Sequence, residues 1–313
     1  EDYEARRTSG MVARFDALSL GNWLTIAEAA GLPHVPASFL GEPGIVELLS
    51  LAAGRMKLDE SKGLAEARER LEEIGAASPG MRSILRADMA APAALKASIG
   101  SSQEAAAALP DECGPDARGP SAEEQLIALA ADPRVLDQLL SVPHERVPLW
   151  LRPWVEPRRR AGGDGGAWPC EWRVFVSGGR IVAVSNYYPQ APAEETEWEA
   201  ICGRVVEASH RLLAALGVLA LVPHHPRMIG RPDVAEGQVY CSFDFLEDET
   251  GELLLLEAGP GHFRDPPWGA HPCCFGTERR PQGVALGGGR FLEADFAPTF
   301  ETCDRPNAEP DLE

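Results

Sequence analysis

Apolar positions in residues 44–53 (GIVELLSLAA) and 63–74 (GLAEARERLEEI) recur every three or four residues, the spacing of an amphipathic helix. Asp59 or Ser61 stands where it can cap the second helix. The segment 31–36 (GLPHVP) predicts a connector, because each proline disfavours helix in the residue before it. MRSILR at 81–86 reads as a short strand. Ser121 and Glu124 form a capping box ahead of another periodic run, and Asp132-Pro133 restarts a helix with proline at its first position. Further along, strands dominate. VPLWLRPWV (147–155) is strand-like, and EWRVFV (171–176) and RIVAVSN (180–186) flank Ser177-Gly178-Gly179 as a hairpin. A long helix is expected over 195–216, with Trp198, Ile201, Val205, Leu212 and Leu216 on or near one face. QVYCSFDFL (238–246) and ELLLLEA (252–258) surround an acidic turn and predict a second strand pair. This order of elements predicts an α+β architecture with a mainly antiparallel sheet in the second half.

A soft stretch at 97–120, rich in Ala, Ser, Gly and acidic residues, suggests a lobe boundary. The expected organisation is a helical, small-sheet lobe over 1–120, a second lobe over 121–290 and an acidic tail over 291–313. The 313 residues are 44% hydrophobic and 25% charged, an ordinary globular balance. A formal net charge of −19 repels phosphate backbones and anionic lipids, which excludes a broad nucleic-acid face but leaves room for a local cationic pocket. The most apolar run, 211–222 (RLLAALGVLALV), is shorter than the roughly 18 residues a membrane span needs, so no membrane partner is expected. Seven cysteines without a CxxC pair read as free thiols in a reducing, cytoplasmic setting.

The segment 239–260 carries the chemistry. Side chains alternate along a strand, so Tyr240, Ser242 and Asp244 share one face, and Leu253, Leu255 and Glu257 share a face of the return strand. A two-residue turn at Glu249-Thr250 would pair Asp244 with Leu255. Glu257 would then lie diagonally across from Asp244, roughly 5 to 8 Å away between Cβ atoms. Two carboxylates that close repel unless a cation sits between them, and Mg²⁺ with phosphate oxygens completing its shell suits the pair. The alternative is a sheet edge with scattered acids in an acid-rich chain.

A strand ending in an acid, followed by one ending in Glu257-Ala258-Gly259-Pro260, resembles the metal-binding end of ATP-grasp enzymes. Their usual pattern is Glu-x-Asn-Pro, and Gly259 stands here in place of the Asn. LWLRPWVEP (149–157) followed by EWRVFVSGGRIVAVSNYY (171–188) resembles one ATP-grasp clade. That clade holds bacterial and phage proteins named for one arginine and two lysines, and the chaperones that assemble translation initiation factor 2. The resemblance implies an ATP-grasp-like fold with ATP and Mg²⁺ as cofactors, Asp244 and Glu257 as metal ligands, and Arg173 near the transferred phosphate. It implies Glu171 facing the nucleotide, a hinge around Arg152, Trp154 and Val155 that meets adenine, and phosphate contacts from Arg86 and Lys96, with Lys57 and Lys62 as rivals to Lys96.

The implied activity is ligation of a carboxylate to an amine through an acyl phosphate, on a small-molecule or peptide substrate. An ATP-binding assembly protein with little turnover is the alternative, and an acidic interaction module without nucleotide is a third. The residues alone leave other roles open. Arg173 could form a structural bridge to a neighbouring acid, and Arg152 with Trp154 could form a cation–π contact. Arg158–Arg160 read as a loop that could cover phosphate, and His224-His225 as a loop.

Overall fold

The computed structural model describes residues 13–92, 120–141, 145–162, 166–188, 193, 195–224, 239–260 and 289–290. The chain divides into two compact units, one of Val35–Val155 and one of Glu1–His34 with Glu156–Glu313. The expected lobe boundary at 120 falls inside the first of these.

In the unit Val35–Val155, three antiparallel strands run in the order β2 (Ser38–Gly41), β4 (Leu149–Pro153), β3 (Ser83–Ala87). Helices α2 (Ile45–Ala52), α3 (Lys62–Ala77), α4 (Ala122–Ala130) and α5 (Pro133–Ser141) accompany them. The caps are those the sequence predicts. The Ser61 hydroxyl accepts from Leu64 N, and Ser121 and Glu124 exchange the two bonds of a capping box at 3.2 and 2.7 Å. Asp132 accepts from the Arg134 and Val135 amides ahead of α5. Leu48, Leu58, Leu64, Leu126 and Leu139 are fully buried and form this unit's apolar interior.

The other unit is built on a five-stranded antiparallel sheet in the order β11 (Leu253–Pro260), β10 (Cys241–Glu247), β7 (Glu171–Ser177), β8 (Arg180–Asn186), β12 (Gly289–Arg290). The β7–β8 hairpin turns on Gly178 and Gly179, whose φ values of 59° and 76° are costly for residues with a Cβ. One face of the sheet carries Trp172, Val174, Cys241, Phe243 and Phe245. These pack with α1 (Leu20–Ala29) and α6 (Glu195–Val218), which contribute Trp23, Ile26, Ile201, Val205, Leu212 and Leu216. Trp23 sits edge-on to Phe15 at 5.0 Å and to Phe243 at 5.6 Å between ring centroids. Each such pair contributes about 0.5–1.5 kcal/mol beyond burial.

The apolar run at 211–222 is the end of α6 running into a strand. Helix α6 stops at Val218, Ala220 adopts a left-handed φ of 51°, and β9 (Leu221–His224) pairs in parallel with β1 (Ala13–Asp16). His224 therefore lies on a strand, opposite Asp16, where the sequence suggests a loop. Among the described residues, no helix is long and apolar enough to cross a membrane.

Candidate functional site

Strands β10 and β11 pair Glu247 with Leu253, Leu246 with Leu254 and Phe245 with Leu255. The register then shifts between Asp244 and Phe245, and Asp244 pairs with Glu257. Leu256 is thus the extra residue of a β-bulge. Strict alternation would send Glu257 to the face of Leu255, a core residue. The bulge turns it to the face of Asp244 instead. Expectation and structure both bring the two acids together. They differ in that the acids are direct cross-strand partners, because the turn closes one residue later than a two-residue loop would and the bulge restores the face.

On its other side Asp244 pairs with Arg173 of β7. Glu257, Asp244 and Arg173 therefore form one row across three adjacent strands. The Arg173 guanidinium donates to both Asp244 oxygens, Nε to Oδ1 at 2.6 Å and Nη2 to Oδ2 at 2.5 Å. Asp244 is 3% exposed. The Arg173 cation also lies 4.8 Å from the centroid of the Tyr187 ring. Burial opposes the Arg173 charge, but the Asp244 carboxylate and its hydrogen bonds outweigh it and hold the group charged far above any physiological pH.

Glu171 lies two residues before Arg173, on the same face of β7, and is buried. Tyr188 hydrogen-bonds to it. Burial first, then the Glu171 charge, pushes the Tyr188 phenol well above its usual range, so it stays a donor. The Tyr187 and Tyr188 rings meet at a 58° tilt with centroids 5.1 Å apart, and Tyr188 meets Trp168 at 5.5 Å. Among the described residues the structure thus brings four expected site residues together: Glu171, Arg173, Asp244 and Glu257. Tyr187 and Tyr188 join them, which the residue-by-residue reading missed. The available signal was their place at the end of β8, where the hairpin returns opposite Glu171.

The remaining candidates are on the other unit. Arg86 is buried and donates to the carbonyls of Ala87 and Asp88 at 3.2 and 3.3 Å, while Asp88 accepts from Trp150 Nε1 at 2.7 Å. The Arg152 guanidinium donates to Val35 O at 2.8 Å. The cation over Trp154 is Arg82, at 5.1 Å, and Trp154 N donates to Arg82 O. Val155 is the last residue of that unit, so the expected hinge segment is where the chain passes from one unit to the next. Lys96 lies outside the described residues, and Lys57 and Lys62 are exposed.

Arg158 and Arg160 belong to an ion-pair cluster. The buried Glu247 accepts from Trp172 Nε1 at 3.0 Å and from Arg158 at 3.2 Å, and Glu197 pairs with Arg158 and Arg160 at 2.8 and 3.0 Å. Strand β5 (Arg159–Ala161) pairs with β6 (Ala167–Pro169), so these arginines lie on and beside a strand.

The donor set at the row suits a hard divalent cation: two carboxylates, all oxygen, with one lone pair on each Asp244 oxygen beyond those Arg173 engages. No group of three or more His, Cys, Asp or Glu side chains able to hold a metal occurs among the described residues. Substrate phosphates would have to complete a magnesium shell here, as is usual for that ion.

No protein-family profile matches the chain, and no curated protein sequence matches it. Solved structures similar to it include Cdc123 from Schizosaccharomyces pombe, at 15% identity and a TM-score of 0.46, covering 77% of this chain and 82% of that one. Two synthetases are also among them. N5-carboxyaminoimidazole ribonucleotide synthetase from Thermotoga maritima has 10% identity and a TM-score of 0.33, covering 78% of this chain and 41% of that one. D-cycloserine synthetase DcsG has 16% identity and a TM-score of 0.36, covering 78% of this chain and 62% of that one.

Proposed function

We propose that the chain binds Mg-ATP and uses it to join a carboxylate to an amine through an acyl phosphate. The observation that carries this reading is the bulge at Leu256, which places Glu257 beside Asp244 and Arg173 on one sheet face. Bulges commonly re-aim a side chain next to an active site. Without this one, a carboxylate would face the apolar core.

In this reading Glu257 and Asp244 hold the magnesium that accompanies ATP, and the ion neutralises charge on the phosphates. Arg173 offers a planar fork to oxygens of the transferred phosphate. Glu171, positioned by the Tyr188 hydroxyl, faces the nucleotide. Phosphoryl transfer needs positioning and charge neutralisation more than covalent help, and this row supplies both. Arg152, Trp154 and Val155 as an adenine-contacting hinge, and Arg86 and Lys96 as phosphate contacts, belong to the same proposal.

A second reading is an ATP-binding assembly protein with little or no turnover. It is favoured by the mutual satisfaction of Arg173 and Asp244, which resembles a structural bridge. A screen for ADP release with amino acids and short peptides as acceptors separates the two. Acceptor-dependent ADP release supports the ligase, and saturable ATP binding with no acceptor-dependent release supports the second reading. A cytoplasmic setting is part of the proposal, since Cys170 and Cys241 are free, buried thiols.

A further inference from the structure

We infer that Arg173 locks Asp244 against free divalent cations, so that a metal ion enters this row only together with a triphosphate that draws the guanidinium away. The inference deepens the nucleotide reading and rests on it for what opens the lock. The lock itself is a matter of three side chains.

Both oxygens of Asp244 are engaged by one guanidinium at 2.6 and 2.5 Å, and the carboxylate is almost wholly removed from water. The Arg173 cation is held from a second direction by the Tyr187 ring at 4.8 Å. Two carboxylates and one guanidinium carry a single net negative charge, and the buried Glu171 on the same face adds a second, so net charge alone does not keep a cation out. A bare divalent ion arriving there can gain Asp244 only by separating a bidentate pair. That pair is of the strong, charge-assisted kind.

A phosphate group changes the exchange. It presents the same spacing of two acceptor oxygens to the guanidinium fork as a carboxylate does. Arg173 can then trade one bidentate partner for another without losing hydrogen bonds, and Asp244 is released to the ion that the phosphates bring. Each half of the exchange compensates the other, so metal and triphosphate bind with strong positive coupling.

The test uses Mn²⁺ alone, counted as free ion by electron paramagnetic resonance, with no nucleotide present. Wild-type protein is expected to show no tight site at this row. Arg173→Met is expected to bind Mn²⁺ about tenfold or more tightly than wild type, the scale on which one neighbouring cation shifts a carboxylate. The gain is expected to vanish in the double variant Arg173→Met/Glu257→Gln. Arg173→Lys keeps the charge but not the fork, and is expected to show a smaller gain. If Arg173→Met does not keep its circular-dichroism melt, Arg173→Lys decides.

Equal Mn²⁺ affinity in wild type and the deciding variant would overturn the lock. A tight wild-type site that Glu257→Gln abolishes would do the same. Failure of the nucleotide reading shows separately, as absence of ATP binding to the wild-type protein in the presence of Mg²⁺.

Discussion

The two arms of the Arg173 guanidinium meet the two oxygens of Asp244, at 2.6 and 2.5 Å, between adjacent strands of the five-stranded sheet. Asp244 is buried and the Arg173 side chain is 17% exposed, so removing one partner leaves the other with little solvent to compensate it. Asp244→Asn leaves the Arg173 charge without its counter-charge in a site of low exposure, and is expected to destabilise the folded state by about 3–5 kcal/mol. Urea unfolding at neutral pH measures this. A change below about 1 kcal/mol would show that the pair is solvated in practice, as surface bridges are.

The β10–β11 turn is held by Asp248, whose Oδ1 accepts from Thr250 N, Thr250 Oγ1 and Glu252 N at 2.9, 2.7 and 2.8 Å. The Thr250 side-chain bond holds the Asp248 pKa below its ordinary value; burial opposes it as the next largest effect, and the backbone amides of Glu252, Thr250 and Gly251 add to the lowering. The folded value is the lower one, so the carboxylate contributes stability above the unfolded pKa of about 3.8 and loses it as pH falls through the folded value. Asp248→Ala is expected to lower the thermal midpoint at pH 7. The difference from wild type should shrink as acid titration proceeds below pH 4. A constant difference across that range would contradict the assignment.

Gly259 occupies the position where the resembled pattern has asparagine. A Cβ built there meets only Ser242 Oγ, at 3.7 Å, an ordinary contact. Gly259 also pairs with Ser242, two residues along from the Asp244–Glu257 pair, so its side chain would share their face. Gly259→Asn is therefore expected to fold normally. It should tighten Mg²⁺-dependent ATP binding severalfold by adding one oxygen donor, as calorimetry can read. Loss of folding, or weaker binding, would show that the backbone here needs glycine.

Burial raises the Cys170 thiol to about 11, with Glu247 adding to the shift and Arg160 and Arg158 opposing it. The unfolded thiol titrates at about 9.0. Between these values the unfolded chain releases a proton that the folded chain keeps, so stability falls as pH rises from 9 toward 11. Wild type is expected to lose stability over that interval relative to Cys170→Ala. Native protein should also resist iodoacetamide at Cys170 and Cys241 at pH 8, as read by peptide mass mapping. Rapid alkylation of either would contradict the burial.

Much of the fold was legible because its signals are local. The Gly178-Gly179 turn, the Ser121–Glu124 box, the Asp132-Pro133 start and the 3.6-residue period of α6 each act within a few residues, and all stand where the sequence puts them. The parallel β1–β9 pair was hidden. Its strands are four residues each, and Leu221-Val222 continues the apolar run of α6, with only Leu219 and the left-handed Ala220 between them.

At the site, alternation brought Asp244 and Glu257 near each other but could not show the bulge at Leu256. A bulge is set by cross-strand packing of Leu255 into the core, and no single strand encodes that. The sequence allowed Arg173 a bridge to a neighbouring acid but could not name Asp244 as that acid, because the pairing depends on β7 lying beside β10 and joins residues 71 apart in order. The arginines at 158–160 read as loop because three consecutive charges carry no periodicity. Glu197 and Glu247, the partners of Arg158 and Arg160, come from a distant helix and strand.

The central claim is that the Glu257–Asp244–Arg173 row binds Mg-ATP, and titration calorimetry with ATP tests it most directly, run with Mg²⁺ and again with a chelator on wild type and on Glu257→Gln. The predicted result is saturable binding by wild type that the chelator and the substitution both abolish, while Glu257→Gln keeps the wild-type thermal melt. Absence of ATP binding by wild type, or an unchanged affinity in a folded Glu257→Gln protein, would contradict it.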